Sequence, residues 1–143
     1  MAALTTERNT GWAQLDGEIT PSPLQKGAVK IFNGAMVNTD ASGFLVPAAD
    51  VVNHKCLGWS RDTSDTAGIA DGVQRCAVGI GVAKFATTGA NAITIADVGK
   101  LAYVLDDNNV VRALGTVNSI IAGRVHGVDP NDGQIYVDFR SRA

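Results

Sequence analysis

Punctuation constrains this chain more than any motif does. Apolar and polar residues alternate over short runs, and Gly, Asp, Asn or Pro interrupts them roughly every 8–12 residues, the cadence of a sandwich or barrel. The acidic residues divide into twelve Asp and only two Glu, beside 16 Gly in 143 residues. Asp and Gly stabilise turns, whereas Glu favours helix interiors. No helical pattern of about 10–15 residues alternates with the strands, which argues against a parallel α/β sheet. The expected fold is all-β: a small barrel or jelly-roll-like sandwich of about ten short strands.

The strand candidates begin at Ala28–Phe32, Ala35–Thr39, Gly43–Pro47 and His54–Arg61. Val73–Phe85 is the longest, with Cys76, Val78, Ile80 and Val82 on one face and Ala77, Gly79, Gly81 and Ala83 on the other. Glycines along one strand face mark a bend or a close approach by another backbone. In Ile93 to Lys100, Asp97 and Gly99 suggest a short helical turn or tight corner. Leu101–Leu105 and Val110–Leu114 face each other across Asp106-Asp107-Asn108-Asn109, a hairpin loop of αL-tolerant residues. Ile120–Val128 and Gln134–Phe139 form the last pair.

Two segments stand outside this cadence. Residues 1–25 show no sustained period and end in Thr-Pro-Ser-Pro-Leu, where two prolines enforce extended backbone. They read as an extended N-terminal arm before a β domain at 26–143, lying on its own domain or reaching a neighbour. Trp12, Leu15 and Ile19 give the arm apolar surface to bury. The second segment, residues 62–72, is polar and long, so it reads as a surface loop. Partner contact is therefore expected through Trp12, Leu15 and Ile19, and through Asp62, Thr63 and Asp65 of the loop.

Bulk properties narrow the function. The net charge is −2 with no Lys/Arg cluster, which leaves little for the counterion release that drives nucleic-acid binding. No apolar run approaches the ~18 residues of a membrane span. The start, MAALTTERNTGW, lacks the basic and apolar regions of a signal peptide, so synthesis in a cytosol is expected. Two cysteines are too few for a disulfide framework.

Three places hold residues of the types that carry chemistry. Asp129, Asn131, Asp132 and Asp138 crowd the stretch VDPNDGQIYVDF, but an EF-hand register from Asp129 puts Gly133 at the fifth position and Arg140 at the twelfth. Asp-Pro opening and Asp-Gly closing a turn account for the same residues better. His54, Cys56, Cys76 and His126 offer the ligand types of a zinc site or a Cys–His nucleophile, without a knuckle spacing or an orienting group. Asp106-Asp107 resembles an acid/base pair only in composition, since adjacent residues on a hairpin tip point apart. Phosphate-loop, nucleophile-elbow and zincin motifs do not occur. No catalytic residue, metal or cofactor is expected, and binding rather than reaction is the expected role.

The run Arg75 to Val111 carries a resemblance. Gly81-Val82 with Phe85, Gly89-Ala90 with Ala92-Ile93-Thr94, Ala96-Asp97 with Gly99-Lys100, and Asp106-Asp107 before Val110 follow one another in order. Ala122-Gly123-Arg124-Val125 and Val137 continue the pattern. This resembles the capsid decoration (cement) proteins of tailed bacteriophages over about residues 27–139, with Tyr136-Val137 where Trp-Val is frequent in that family. The resemblance implies a compact β domain, a homo-oligomer (dimer or trimer), coating the outside of a phage head and cementing neighbouring major capsid subunits. It implies the capsid surface as location, with the host cytoplasm during assembly, and no nucleic-acid or membrane partner. It supplies no active-site residues. The alternative role is a small ligand- or carbohydrate-binding β module, for which Trp12, Trp59 and Tyr136 are the candidate aromatics.

Overall fold

The computed structural model describes residues 17–142 of the chain. They form twelve strands: β1 (Gly17–Glu18), β2 (Lys30–Ile31), β3 (Met36–Thr39), β4 (Leu45–Pro47), β5 (Lys55–Ser60), β6 (Ser64–Asp65), β7 (Val78–Ile80), β8 (Val82–Phe85), β9 (Leu101–Val104), β10 (Val110–Val111), β11 (Ile121–Val128) and β12 (Ile135–Asp138). The fold is all-β, as the punctuation requires. One five-stranded sheet runs β1-β7-β5-β3-β4, a second runs β10-β9-β11-β12-β8, and β2 pairs with β6 in a two-stranded ribbon. Every ladder is antiparallel. This is a sandwich, not a closed barrel: the second sheet curls until Ala86 meets Asn109 in one isolated bridge, and the ladder goes no further.

Three layers result. The larger core lies between the two five-stranded sheets and includes Met36, Cys56, Phe85, Val104, Val125, Val137 and Phe139. Phe139 is fully buried at its centre, with Trp59 at 5.6 Å and Phe85 edge-on at 5.7 Å between ring centroids. A smaller cluster of Ile31, Val37, Leu45, Cys76 and Val78 packs on the other face of the first sheet, where β2 supplies Ile31. The first sheet is thus buried on both faces. That explains why Met36, Val37 and Asn38 are buried consecutively instead of alternating.

Glycine sets the strand breaks. Val73–Phe85 is not one strand: Gly81, at φ +142°, separates β7 from β8 and hands the chain from the first sheet to the second. The predicted single face is divided accordingly. Cys76 and Val78 enter the smaller cluster, while Ile80 packs on the larger core. Gly79 is the close approach, because the Trp59 indole lies where its Cβ would be.

The polar segment 62–72 also differs from its reading as a plain surface loop. Ser64 and Asp65 form β6 opposite Ile31 and Lys30, and Ser64 and Thr66 are buried. They belong to a polar network that fastens residues 25–29. Buried Gln25 donates from Nε2 to the Ser64 carbonyl (3.2 Å) and accepts from Ser64 Oγ (2.5 Å). Thr66 Oγ1 donates to the Lys26 carbonyl at 2.7 Å and accepts from the Val29 N–H at 3.0 Å. Upstream, β1 pairs with β7, and Leu24 bridges Arg75 while Gln25 bridges Leu45. Residues 17–25 therefore lie along both borders of the first sheet. Trp12 and Leu15 are outside the described residues.

A Cβ added at Gly58 would sit 2.1 Å from the Gly79 carbonyl oxygen, a backbone atom that cannot step aside. Gly58→Ala is expected to destabilise by about 3 kcal/mol or more through forced separation of β5 and β7. Gly133→Ala, at φ +72° with open space around it, should cost only about 1 kcal/mol. Urea melts of the two variants check the ordering.

Candidate interaction surfaces

The thiols and imidazoles do not converge. Cys56 lies in the larger core and Cys76 in the smaller cluster, on opposite faces of the first sheet. Burial pushes the Cys56 thiol up to about 12, so it is neutral at physiological pH. Burial raises the Cys76 thiol as well, against a hydrogen bond from Ser60 that lowers it. His54 sits beside Asn38, its Nδ1 3.5 Å from the amide nitrogen, and His126 is exposed on β11. Among the described residues, no group of three or more His, Cys, Asp or Glu side chains could hold a metal ion.

The acidic stretch at 129–138 is a turn held by its own side chains. Asp129 accepts the Asn131 N–H and Asp132 accepts the Gln134 N–H, at 2.8 and 2.9 Å. Lys84 of β8 reaches across β12 and bridges both carboxylates, at 3.0 Å from Asp129 and 2.8 Å from Asp132. The turn hydrogen bond and Lys84 hold Asp129 below the usual carboxylate range, and Lys84 does the same for Asp132. The two carboxylates raise the Lys84 ammonium in return.

The remaining predicted contact residues separate. Ile19 is half-buried against the smaller cluster, its N–H donating to the Val78 carbonyl at 3.0 Å. Asp62, Thr63 and Asp65 are exposed along one ridge. Thr63 Oγ1 accepts the Asn33 N–H at 3.1 Å, and Asp65 faces Lys30 across the ribbon. Of the aromatics, Trp59 packs into the larger core, while Tyr136 is on the outer face of β12 with Lys84 Nζ 5.8 Å from its ring. These two do not share a platform.

Sequence reasoning missed a set of exposed aliphatic residues. Two loops, 48–54 after β4 and 112–119 after β10, meet through Asp50. Its carboxylate accepts the Val117 N–H (2.6 Å) and the Asn118 N–H (2.9 Å), while Asn118 Nδ2 donates to the Asp50 carbonyl (3.0 Å). On the joined loops Val51 is 40% exposed, Val52 63%, Leu114 87% and Val117 89%. Single exposed aliphatics are ordinary, but here four lie on two loops that one carboxylate ties together. The signal in sequence was faint: Val51-Val52 between Asp50 and Asn53, and Leu114 and Val117 beyond the end of a strand.

With this geometry in hand, comparison with known proteins adds nothing to the assignment: no family model, no curated protein and no solved structure matches the chain.

Asp50→Ala should cost about 1–2 kcal/mol by releasing two N–H groups and unpinning the loops. Val52→Asp and Val117→Asp should stay within roughly 0.5 kcal/mol of the parent, because those side chains contribute little to the core. Thermal melts test both. The Lys84 bridge makes a pH prediction. The depressed Asp129 and Asp132 contribute stability above the unfolded carboxylate pKa of about 4, and it is lost as pH falls through their folded values. The raised Lys84 contributes below the unfolded lysine pKa of about 10.4, and it is lost as pH rises through the folded one. Lys84→Met is therefore expected to be less stable than the parent at pH 7, with the gap closing at about pH 2, in urea titrations at both values.

Proposed function

We propose that this chain is a structural virion protein that binds the outside of a phage head and cements neighbouring major capsid subunits. The observation that carries this reading is the exposure of Val51, Val52, Leu114 and Val117 on two loops that Asp50 joins. Exposed aliphatics on a rigid sandwich suit adhesion: they lose water on contact, and the scaffold has little freedom left to lose. The resemblance to decoration proteins supports the same reading through residues whose roles here are structural. Asp97 accepts the Thr94 N–H at 2.8 Å and pairs with Arg112 at 3.2 Å, holding the turn before β9. Asp106 accepts the N–H groups of Asn108 and Asn109, both at 2.8 Å, and closes the β9–β10 hairpin.

Magnitudes favour a many-copy cement. Full burial of four aliphatic side chains is worth about 1.5–3 kcal/mol each, while association costs about 4–15 kcal/mol. One such contact is weak. A molecule that touches two capsid subunits gains the second contact at high effective concentration, and many symmetry-related copies sum the effect over the shell. Residues 17–25 also serve the domain's own sheet and the Gln25 network.

The test is sedimentation with undecorated phage heads, unexpanded and expanded. The parent protein is expected to pellet with heads, and Val52→Asp combined with Val117→Asp to reduce bound protein about tenfold or more while melting like the parent. A chain starting at Gly17 should bind more weakly than the full chain. Absence of co-sedimentation with either head form, or full binding by the double variant, defeats the proposal.

A further inference from the structure

A second surface lies at the turn between β2 and β3. The Phe32–Ala35 turn between β2 and β3 lies against the tip of the β9–β10 hairpin, where the Met36 N–H donates to the Asp107 carbonyl at 2.8 Å. Between them opens a recess of about 270 Å³ lined by Phe32, Asn33, Gly34, Ala35, Asp107 and Asn108. Most backbone donors around it are already used. Asn33 donates to Thr63 Oγ1, Gly34 to the Ser60 carbonyl, Ala35 to the Phe32 carbonyl and Asn108 to Asp106.

Two groups in the recess stand out. Phe32 is 57% exposed, an unusual position for a phenyl ring. Its ring already attracts one ammonium, with Lys30 Nζ 5.0 Å from the centroid. The neighbouring carboxylates differ sharply. Asp106 is saturated by Asn108 N–H, Asn109 N–H and Asn109 Nδ2. The Asp107 carboxylate has only its own backbone N–H as a hydrogen-bond partner among the described residues, and burial together with the Asp106 charge raises its pKa. An exposed π face beside a half-buried, uncompensated carboxylate favours a cation that can stack and accept charge compensation at once.

We propose that this recess binds an arginine side chain presented by a partner protein. The planar guanidinium stacks on Phe32 and donates paired N–H groups to Asp107, with the Asn33 and Asn108 amides at the rim. Arginine is favoured over lysine because it satisfies ring and carboxylate in one plane. The proposal concerns a different surface from the capsid reading and does not depend on it.

The experiment is an NMR titration of the ¹⁵N-labelled full chain with N-acetyl-arginine amide at about 0.15 M salt, where diffuse charge attraction is screened. N-acetyl-leucine amide serves as the control. Saturable shifts are expected at Phe32, Asn33, Gly34, Asp107 and Asn108, with half-saturation in the millimolar range, about what one stacked ion pair supports. Asp107→Asn and Phe32→Ala should each weaken binding about fivefold or more while keeping the parent spectrum elsewhere. No saturable shift up to about 100 mM would overturn the proposal. Equal affinity in Asp107→Asn would overturn it too, as would shifts spread evenly over Asp62, Asp65, Asp129 and Asp132.

Discussion

Burial of one sheet on both faces is the constraint on which the rest of the molecule depends. The strands β3, β5 and β7 place Met36, Cys56 and Trp59 against the second sheet, and Val37, Leu57 and Val78 against the ribbon side. A sheet covered twice has no solvated face on which to tolerate error. Its strands must therefore lie at close spacing, and Gly58 and Gly79 permit this where β5 meets β7. The outer cluster is sealed by polar residues rather than by more hydrocarbon. Gln25, Ser64 and Thr66 satisfy one another and the backbone around them, and removing one partner would strand the others away from water.

That rigidity shapes what the surface can do. Loops anchored on a doubly packed sheet hold apolar side chains in place without ordering them anew at each encounter. Asp50 illustrates the principle: one carboxylate ties together two loops from different sheets, each of which carries exposed aliphatics. The hairpin tip works the same way, since Asp106 spends itself on the turn and leaves Asp107 beside Phe32. Both surfaces use turn-forming residues to place groups that contribute little to the turn.

Much of the fold was legible because turn chemistry is local. Asp106 to Asn109 reads as a hairpin loop and is one, and Asp129 to Gly133 closes the last hairpin as its Asp-Pro and Asp-Gly pairs demand. Val73–Phe85 was misread as one strand, because periodicity continues smoothly through Gly81 while the backbone does not. The 62–72 segment is largely the exposed loop its polarity suggests, but Ser64 and Thr66 are buried within it, since polarity alone cannot distinguish a solvated Ser from one bonded inside. The aliphatic surface was invisible for a related reason. Val51 and Val117 are far apart in the chain, and only the Asp50 clamp makes them neighbours.

By itself, the sequence determined that the chain would be a string of short antiparallel strands, because turn preference and two-residue alternation act within a few residues. Tertiary structure alone decided which faces are buried, how the thiols part to opposite sides of one sheet, and which loop residues share a surface. Those outcomes depend on contacts between segments distant in the chain, and no local pattern encodes which distant segment will cover a given face.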